Sequence, residues 1–389
     1  MTNSLEIIFL DFDDRQNPLL GAGQAKATFE VGRRLVQKGH RVTVVSCAFP
    51  GCSDRIEEGI EYKHIALGTR NIRINNLMYI AALPFIVRKL RADIILECFT
   101  PPFSALFSPL WTRIPVVVIP SSFDANHFSR VYHLPFYIVE KVSLSLYRYY
   151  LPYSDYYDQK MRKMNPRVTS QTVPQGVEEV FFEVPRKKSE FILFLGRLEI
   201  TQKGIDLLLD AYSRIKNKID YPLVIAGNGP DEKKVKSLIR EYDLKDRVVL
   251  TGPAFGSEKL DLLSKSLYVV LPSRFEGFSL FALEALASGL LLVLFNIPAL
   301  GWVHDDVSYK APCFNTEKYA ELMIKLAKPS KAREKGEKAR EFAAKYTWDE
   351  VTNQYENFFY KVVHLENGKQ LQSEKAPAVS GERVKETEY

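Results

Sequence analysis

The sequence has 389 residues, 46% of them hydrophobic and 26% charged, which suits two folded domains and excludes a disordered or fibrous chain. Its formal net charge of +6 is modest and basic residues are interleaved with acidic ones, which argues against a dedicated nucleic-acid binder. Cys47, Cys52, Cys98 and Cys313 form no Cys-x-x-Cys pair and no metal-ligand spacing with histidine, so they read as reduced thiols of a cytoplasmic protein, with no metal or cofactor expected.

The chain opens on an apolar strand, Leu5 to Phe12, with no basic region or cleavage site before it, and so reads without a signal peptide. A polar loop ends in Gly21-Ala22-Gly23. Ala27, Val31, Leu35 and Val36 then recur at helical spacing until Gly39, and Arg41 to Ser46 is the next strand. The apolar run Leu77 to Val87 is too short to span a bilayer and ends in Arg88, Lys89 and Arg91. Strands follow at Asp93 to Glu97 and Pro115 to Ile119, an aromatic-rich helix at Leu134 to Tyr150, and a strand at Val168 to Val173. The charged stretch Glu183 to Lys188, with Pro185, reads as a linker.

The alternation then restarts. Strands are expected at Phe191 to Gly196, Tyr221 to Ala226, Val248 to Thr251, Leu267 to Pro272 and Leu290 to Phe295. Helices are expected at Gly204 to Lys216, Asp231 to Glu241, after Gly252 as far as Ser266, and Ser279 to Ser288. Strands alternating with helices imply parallel sheets covered on both faces. The expected division is 1–183, 189–345, a final helix over 346–364 carrying Trp348, Val351, Tyr355, Phe358 and Phe359, and a disordered tail over 365–389.

The most specific motif is Pro272-Ser273-Arg274-Phe275-Glu276-Gly277-Phe278-Ser279-Leu280, followed on the same helix by Glu284. It joins a strand to a helix. Gly277 admits close backbone approach, and the N–H groups of Phe278, Ser279 and Leu280 at the helix start suit an anion. Glu276 and Glu284 can each accept from ligand hydroxyls. At the end of another strand, Gly196-Arg197 and the nearby Lys203-Gly204 place two cations where open parallel sheets bind ligands. Arg197 can clamp phosphate oxygens through two N–H groups, and Lys203 adds a compact charge. Either cation could instead pair with Glu199 or Asp206. The turn at Gly227, in Ala226-Gly227-Asn228-Gly229-Pro230, is weaker evidence alone. Gly21 and Gly23 could present N–H groups to the same anion from the first half, although Lys26 stands where a dinucleotide fingerprint has its third glycine.

Together these residues resemble the retaining GT-B glycosyltransferases of glycosyltransferase family 4. The resemblance implies two Rossmann-like domains facing a cleft. In it, Arg197 and Lys203 bind the diphosphate of a nucleotide-sugar donor, Glu276 meets the transferred sugar and Glu284 the ribose, with no divalent metal. Gly21, Gly23, Gly196, Gly227, Gly277, Phe278, Ser279 and Leu280 complete the implied donor site. Two features depart from the family. Where it carries a histidine near the sugar, this chain reads Pro120-Ser121-Ser122-Phe123-Asp124, with His127 the nearest substitute. The family's Gly-x-Pro after the helix is here Gly289-Leu290-Leu291. The expected activity is retaining transfer of a hexose to a glycan, lipid-linked or small-molecule acceptor. The alternatives are a nucleotide-sugar-binding protein without transfer and a GT-B-like epimerase. Basic and aromatic residues between Tyr132 and Lys163, with Arg88, Lys89 and Arg91, are compatible with peripheral membrane contact.

Overall fold

The computed structural model describes residues 4–19, 23–99, 107–120, 125, 129–130, 133–328 and 335–375. Two parallel sheets are built in succession. The first contains β1 (Glu6–Leu10), β2 (Arg41–Cys47), β3 (Arg55–Glu57), β4 (Ile60–Ile65), β5 (Ile94–Phe99), β6 (Val116–Pro120), β7 (Tyr149–Tyr150) and β8 (Thr169–Ser170), in the order β3-β4-β2-β1-β5-β6-β7-β8. All pairs are parallel except the β3–β4 hairpin. That hairpin turns through Glu58 (φ 48°) and Gly59 (φ 79°), the two left-handed positions that match the twist of the strands. The second sheet contains β9 (Phe191–Leu195), β10 (Leu223–Ala226), β11 (Val248–Gly252), β12 (Ser266–Leu271), β13 (Leu292–Phe295) and β14 (Ser308–Ala311), all parallel, in the order β11-β10-β9-β12-β13-β14.

The apolar runs become central strands because both faces of each sheet are covered. On one face of the first sheet lies α1 (Gly23–Gln37), burying Val31 and Leu35 against Ile7, Phe9 and Val44. On the other lie α2 (Ile72–Val87), α3 (Phe136–Leu146) and α4 (Asp155–Met164), whose Tyr79, Leu83, Val87, Leu144, Tyr157 and Met161 share one core with Ile8, Leu10 and Val118. The second sheet is flanked by α5 (Ile200–Lys203), α6 (Ile205–Ser213), α7 (Glu232–Glu241), α8 (Gly256–Lys265), α9 (Leu280–Ala287), α10 (Thr316–Leu326) and α11 (Gly336–Ala343). No helix among the described residues is long and apolar enough to cross a membrane.

The chain crosses between domains twice, side by side. Val177 pairs with Thr347, and its N–H donates to the Tyr346 carbonyl at 2.8 Å. Gly176 allows this, since a Cβ there would lie 2.5 Å from the Trp348 ring. The last helix, α12 (Trp348–Lys375), then returns to the first domain. Its Glu356 meets Lys38 at 2.7 Å and His40 at 3.0 Å, and Val351, Phe358 and Phe359 join the core of α1.

Several expectations are corrected. The aromatic stretch from Leu134 is not one helix: α3 ends at Leu146, Tyr147 is extended, and Tyr149–Tyr150 form β7. The strand expected over Val168 to Val173 is only Thr169–Ser170, and the helix expected from Gly204 to Lys216 ends at Ser213. The final helix passes 364 and runs to Lys375, so the expected disordered tail over 365–389 begins within it.

Candidate active site

In each sheet the strand order reverses beside the first strand of that domain. The crevices lie between β1 and β5 and between β9 and β12, at the strand carboxyl ends where such folds take ligands. The two crevices face one another. A Cβ on Gly23, at the start of α1, would sit 3.2 Å from Leu280 Cδ1 at the start of α9.

Three glycines make the second crevice possible. Gly227 (φ 148°) lies so close to the neighbouring loop that a Cβ would be 1.9 Å from the Gly196 carbonyl oxygen, and one on Gly229 would be 2.5 Å from that of Leu198. Gly204 (φ 63°) brings the Lys203 turn against the Pro272 carbonyl, 2.1 Å from where a Cβ would stand. The loops after β9, β10 and β12 are thus stacked backbone on backbone. Arg274 locks the third, donating to both carboxylate oxygens of Asp206 at 2.8 and 2.7 Å and to the Ile200 carbonyl at 2.8 Å. Asp206 is therefore taken by Arg274 and competes for neither Arg197 nor Lys203.

Glu276 is 5% exposed. Its Oε1 accepts from Lys203 Nζ at 2.7 Å and from Ser273 Oγ at 2.6 Å, so the expected cation and the expected carboxylate meet directly. The Glu276 carbonyl accepts from the Tyr157 hydroxyl of α4 at 2.8 Å, a tie from the opposite domain. Arg197 differs. Its side chain is 61% exposed and among the described residues has only a 3.5 Å contact with Glu199, which leaves its fork open to a ligand.

The left-handed residue of the Glu276 loop is Ser279 (φ 75°), not Gly277. Ser279 caps α9, its hydroxyl accepting from the Ala282 N–H at 3.4 Å. The N–H groups of Phe278, Ser279 and Leu280 have no acceptor among the described residues. Phe278 itself is buried. Its ring stacks on Trp302 at 4.4 Å, and Trp302 Nε1 donates to its carbonyl at 2.9 Å, an anchor the sequence reading missed.

Glu284, 3% exposed, pairs with Lys259 of α8 and lies 3.7 Å from Lys26 of α1. Lys26 also binds Glu178, in the first crossing segment, at 2.8 Å. Burial alone would lower the Lys26 ammonium, but Glu284 and Glu178 outweigh it and the value is raised. Lys26, Lys259 and Glu178 were not singled out as site residues from sequence. Behind α1, Asp11 is enclosed, and burial lifts its carboxyl to about 7 against a lowering bond from Thr28.

Gly21 and His127 lie outside the described residues. No group of His, Cys, Asp or Glu among the described residues is arranged to hold a metal ion. The remaining expected residues, Gly23, Gly196, Arg197, Lys203, Gly227, Glu276, Gly277, Phe278, Ser279, Leu280 and Glu284, fall on loops and helix starts at or facing one crevice.

Two doubly wound domains with facing switch points define the GT-B fold. Residues 177–343 match the family model for glycosyl transferases group 1, and residues 21–179 match that for Glycosyltransferase Family 4. These matches place the chain among the group 1 glycosyltransferases of GT-B fold. The chain is 28% identical over 172 residues to N-acetyl-alpha-D-glucosaminyl L-malate synthase of Bacillus anthracis, covering 43% of this chain and 45% of that protein. It is 31% identical over 203 residues to MMP alpha-(1->4)-mannosyltransferase of Mycolicibacterium hassiacum, covering 49% and 48%. The match thus spans less than half the length of either relative. Among solved structures, sucrose-phosphate synthase from Thermosynechococcus elongatus superposes with a TM-score of 0.76 at 18% identity, covering 92% of this chain and all of that one.

Proposed function

We propose that this protein is a retaining hexosyltransferase, moving a sugar from a nucleotide-diphosphate donor to a glycan or lipid-linked acceptor. The observation that carries this reading is the Lys203–Glu276 pair beside the exposed Arg197, at a switch point facing the first domain. Arg197, Lys203 and the N–H groups at the start of α9 hold the diphosphate and stabilise the charge that develops as it leaves. Glu276 accepts from hydroxyls of the transferred sugar and Glu284 from those of the ribose. The bond between anomeric carbon and phosphate oxygen breaks, and the acceptor oxygen bonds to that carbon on the same face. The acceptor proton passes to the departing phosphate, so no protein base is required. A lipid-linked acceptor has a parallel in a Campylobacter jejuni relative, 37% identical over 106 residues, named for transfer to a diphospho-undecaprenol. No metal takes part in this scheme. The free Cys47, Cys52, Cys98 and Cys313 suit a reducing cytoplasm.

The test is a thermal-shift screen of nucleotide sugars, then incubation of the best ligand with candidate acceptors and determination of the product's anomeric configuration by NMR. Retained configuration with turnover unaffected by a chelator is expected. Inversion, or activity lost to chelator and restored by magnesium, refutes the mechanism. Binding without transfer, or conversion of the donor to its epimer, refutes the function.

A further inference from the structure

A buried tyrosine needs a partner for its hydroxyl, and which partner it finds says what the residue holds in place. In α4, Tyr157 is 4% exposed, and its ring belongs to the first domain's core with Tyr79, Leu144 and Met161. Its hydroxyl reaches out of that core. It donates at 2.8 Å to the backbone carbonyl of Glu276, which belongs to the second domain. Tyr156, one residue earlier, shows the ordinary alternative: it is 41% exposed, and its hydroxyl has no hydrogen-bond partner among the described residues.

That carbonyl belongs to the Glu276–Gly277 peptide. Gly277 has no Cβ, so sterics restrain rotation of this peptide little. In a trans peptide the N–H points opposite to the C=O, so a carbonyl held toward the first domain turns the Gly277 N–H away from it. The Gly277 N–H has no acceptor among the described residues. Rotating the peptide would put an acceptor oxygen where the loop now offers a donor. Two residues on, the chain passes through Ser279 at φ 75°, a costly conformation for a residue with a side chain, which persists only where its surroundings fix it. Within the second domain, Lys203 and Ser273 hold the Glu276 carboxylate, and Trp302 Nε1 holds the Phe278 carbonyl at 2.9 Å. The Glu276 carbonyl is held from the first domain instead.

We propose that Tyr157 is a positioning residue for sugar transfer. Its hydroxyl fixes the Glu276–Gly277 peptide, so that the Glu276 carboxylate and the N–H groups of the loop meet the donor in one arrangement. The proposal rests on the transferase reading and adds to it a residue of the first domain that acts through the loop. Removing the hydroxyl leaves the nucleotide end of the site, at Glu284, as it was, so the effect belongs to the reacting end of the donor.

The test compares Tyr157→Phe with Tyr156→Phe in the full chain. Phenylalanine keeps the ring in its place, so each variant loses a hydroxyl alone. In protein carrying isotope-labelled glycine, the Gly277 amide signal is assigned by its loss in Gly277→Ala. Without any ligand, that signal should shift or broaden in Tyr157→Phe and stay in place in Tyr156→Phe. The kcat of Tyr157→Phe should fall about tenfold or more, with donor KM and the Kd for the donor's nucleoside diphosphate within about twofold of wild type. Its melting temperature should stay within about 3 °C. Tyr156→Phe should match wild type throughout. An unmoved Gly277 signal, an unchanged kcat, or a loss of nucleotide affinity equal to the loss of kcat overturns the proposal. A wild type that binds donor without transfer refutes the transferase reading instead, and the Gly277 signal then decides by itself whether Tyr157 holds the loop.

Discussion

Glu276 and Glu284 share a loop and helix but face different neighbours, so their glutamine variants should fail in different ways. Glu284 is 3% exposed and held by Lys259, with Lys26 at 3.7 Å. Glu284→Gln keeps the shape and one acceptor oxygen but removes the charge. A ribose hydroxyl then loses a charge-assisted hydrogen bond, about 1.5–3 kcal/mol, which is roughly a tenfold to 150-fold weaker Kd for nucleoside diphosphate. Glu276 instead neutralises Lys203 at 2.7 Å. Glu276→Gln releases that ammonium to the diphosphate, so nucleotide affinity should be unchanged or slightly tighter. Turnover of the whole donor should fall by about a hundredfold or more, because the sugar loses its anionic partner. Isothermal calorimetry with nucleoside diphosphate, run beside steady-state transfer, measures both quantities. Equal losses of affinity in the two variants, or a loss confined to Glu276→Gln, would show that the two carboxylates have been assigned the wrong ends of the donor.

Arg197→Ala should cut turnover by about a hundredfold to a thousandfold without moving the melting temperature, because the side chain is 61% exposed and among the described residues has only the 3.5 Å Glu199 contact to lose; near-normal turnover would remove it from the diphosphate clamp. Gly227→Ala should destabilise by more than about 3 kcal/mol in denaturant titration, as its Cβ would stand 1.9 Å from the Gly196 carbonyl at φ 148°, and a loss below about 1 kcal/mol would refute the close stacking of these loops. Asp11 has its carboxyl raised from 3.8 to about 7 by burial, so the folded chain binds that proton more tightly than the unfolded one; this contribution is complete below about pH 4 and is lost as pH rises to about 7. Asp11→Asn should therefore remove a downward component of the stability curve in that window, and identical slopes for variant and wild type would show that Asp11 titrates normally.

The second domain was the more legible half. Its central strands are buried on both faces and read as unbroken apolar runs, while Gly196, Gly227 and Gly252 mark where β9, β10 and β11 end. Arg197, Lys203, Glu276 and Glu284 stood out because each follows such a run at a fixed offset. The first domain hides more. Glu58-Gly59 makes a hairpin turn without the Asn or Asp that would announce it, and β7 is two tyrosines long, directly behind an aromatic helix. Lys259 in Gly256-Ser257-Glu258-Lys259 reads as an ordinary helix charge, and Lys26 as a missing glycine. Only the packing of α1 and α8 around α9 brings both to Glu284. Residues like these gain their meaning from neighbours distant in sequence, which local pattern cannot supply.

The charge pairing also explains how such a site can exist before any ligand arrives. A buried carboxylate without a partner costs several kcal/mol, and here two glutamates, 5% and 3% exposed, stand in the loop and helix that border the second domain's crevice. Each is paired with a lysine, Lys203 at Glu276 and Lys259 at Glu284, and in the proposed scheme Lys203 also serves the donor. Lys203 can hold Glu276 and a diphosphate oxygen together, because an ammonium has three donors. The Glu284 carboxylate can keep Lys259 on one oxygen and offer the other, whose contact with Lys26 is the longer one at 3.7 Å, to a ribose hydroxyl. Lys26 has somewhere to go, since Glu178 holds it at 2.8 Å. Exchange at Glu284 therefore releases the weaker of its two lysine contacts, and that contact comes from the first domain. The nucleotide end of the donor would then replace a direct bond between domains, while Tyr157 still ties the Glu276 loop across the cleft at 2.8 Å.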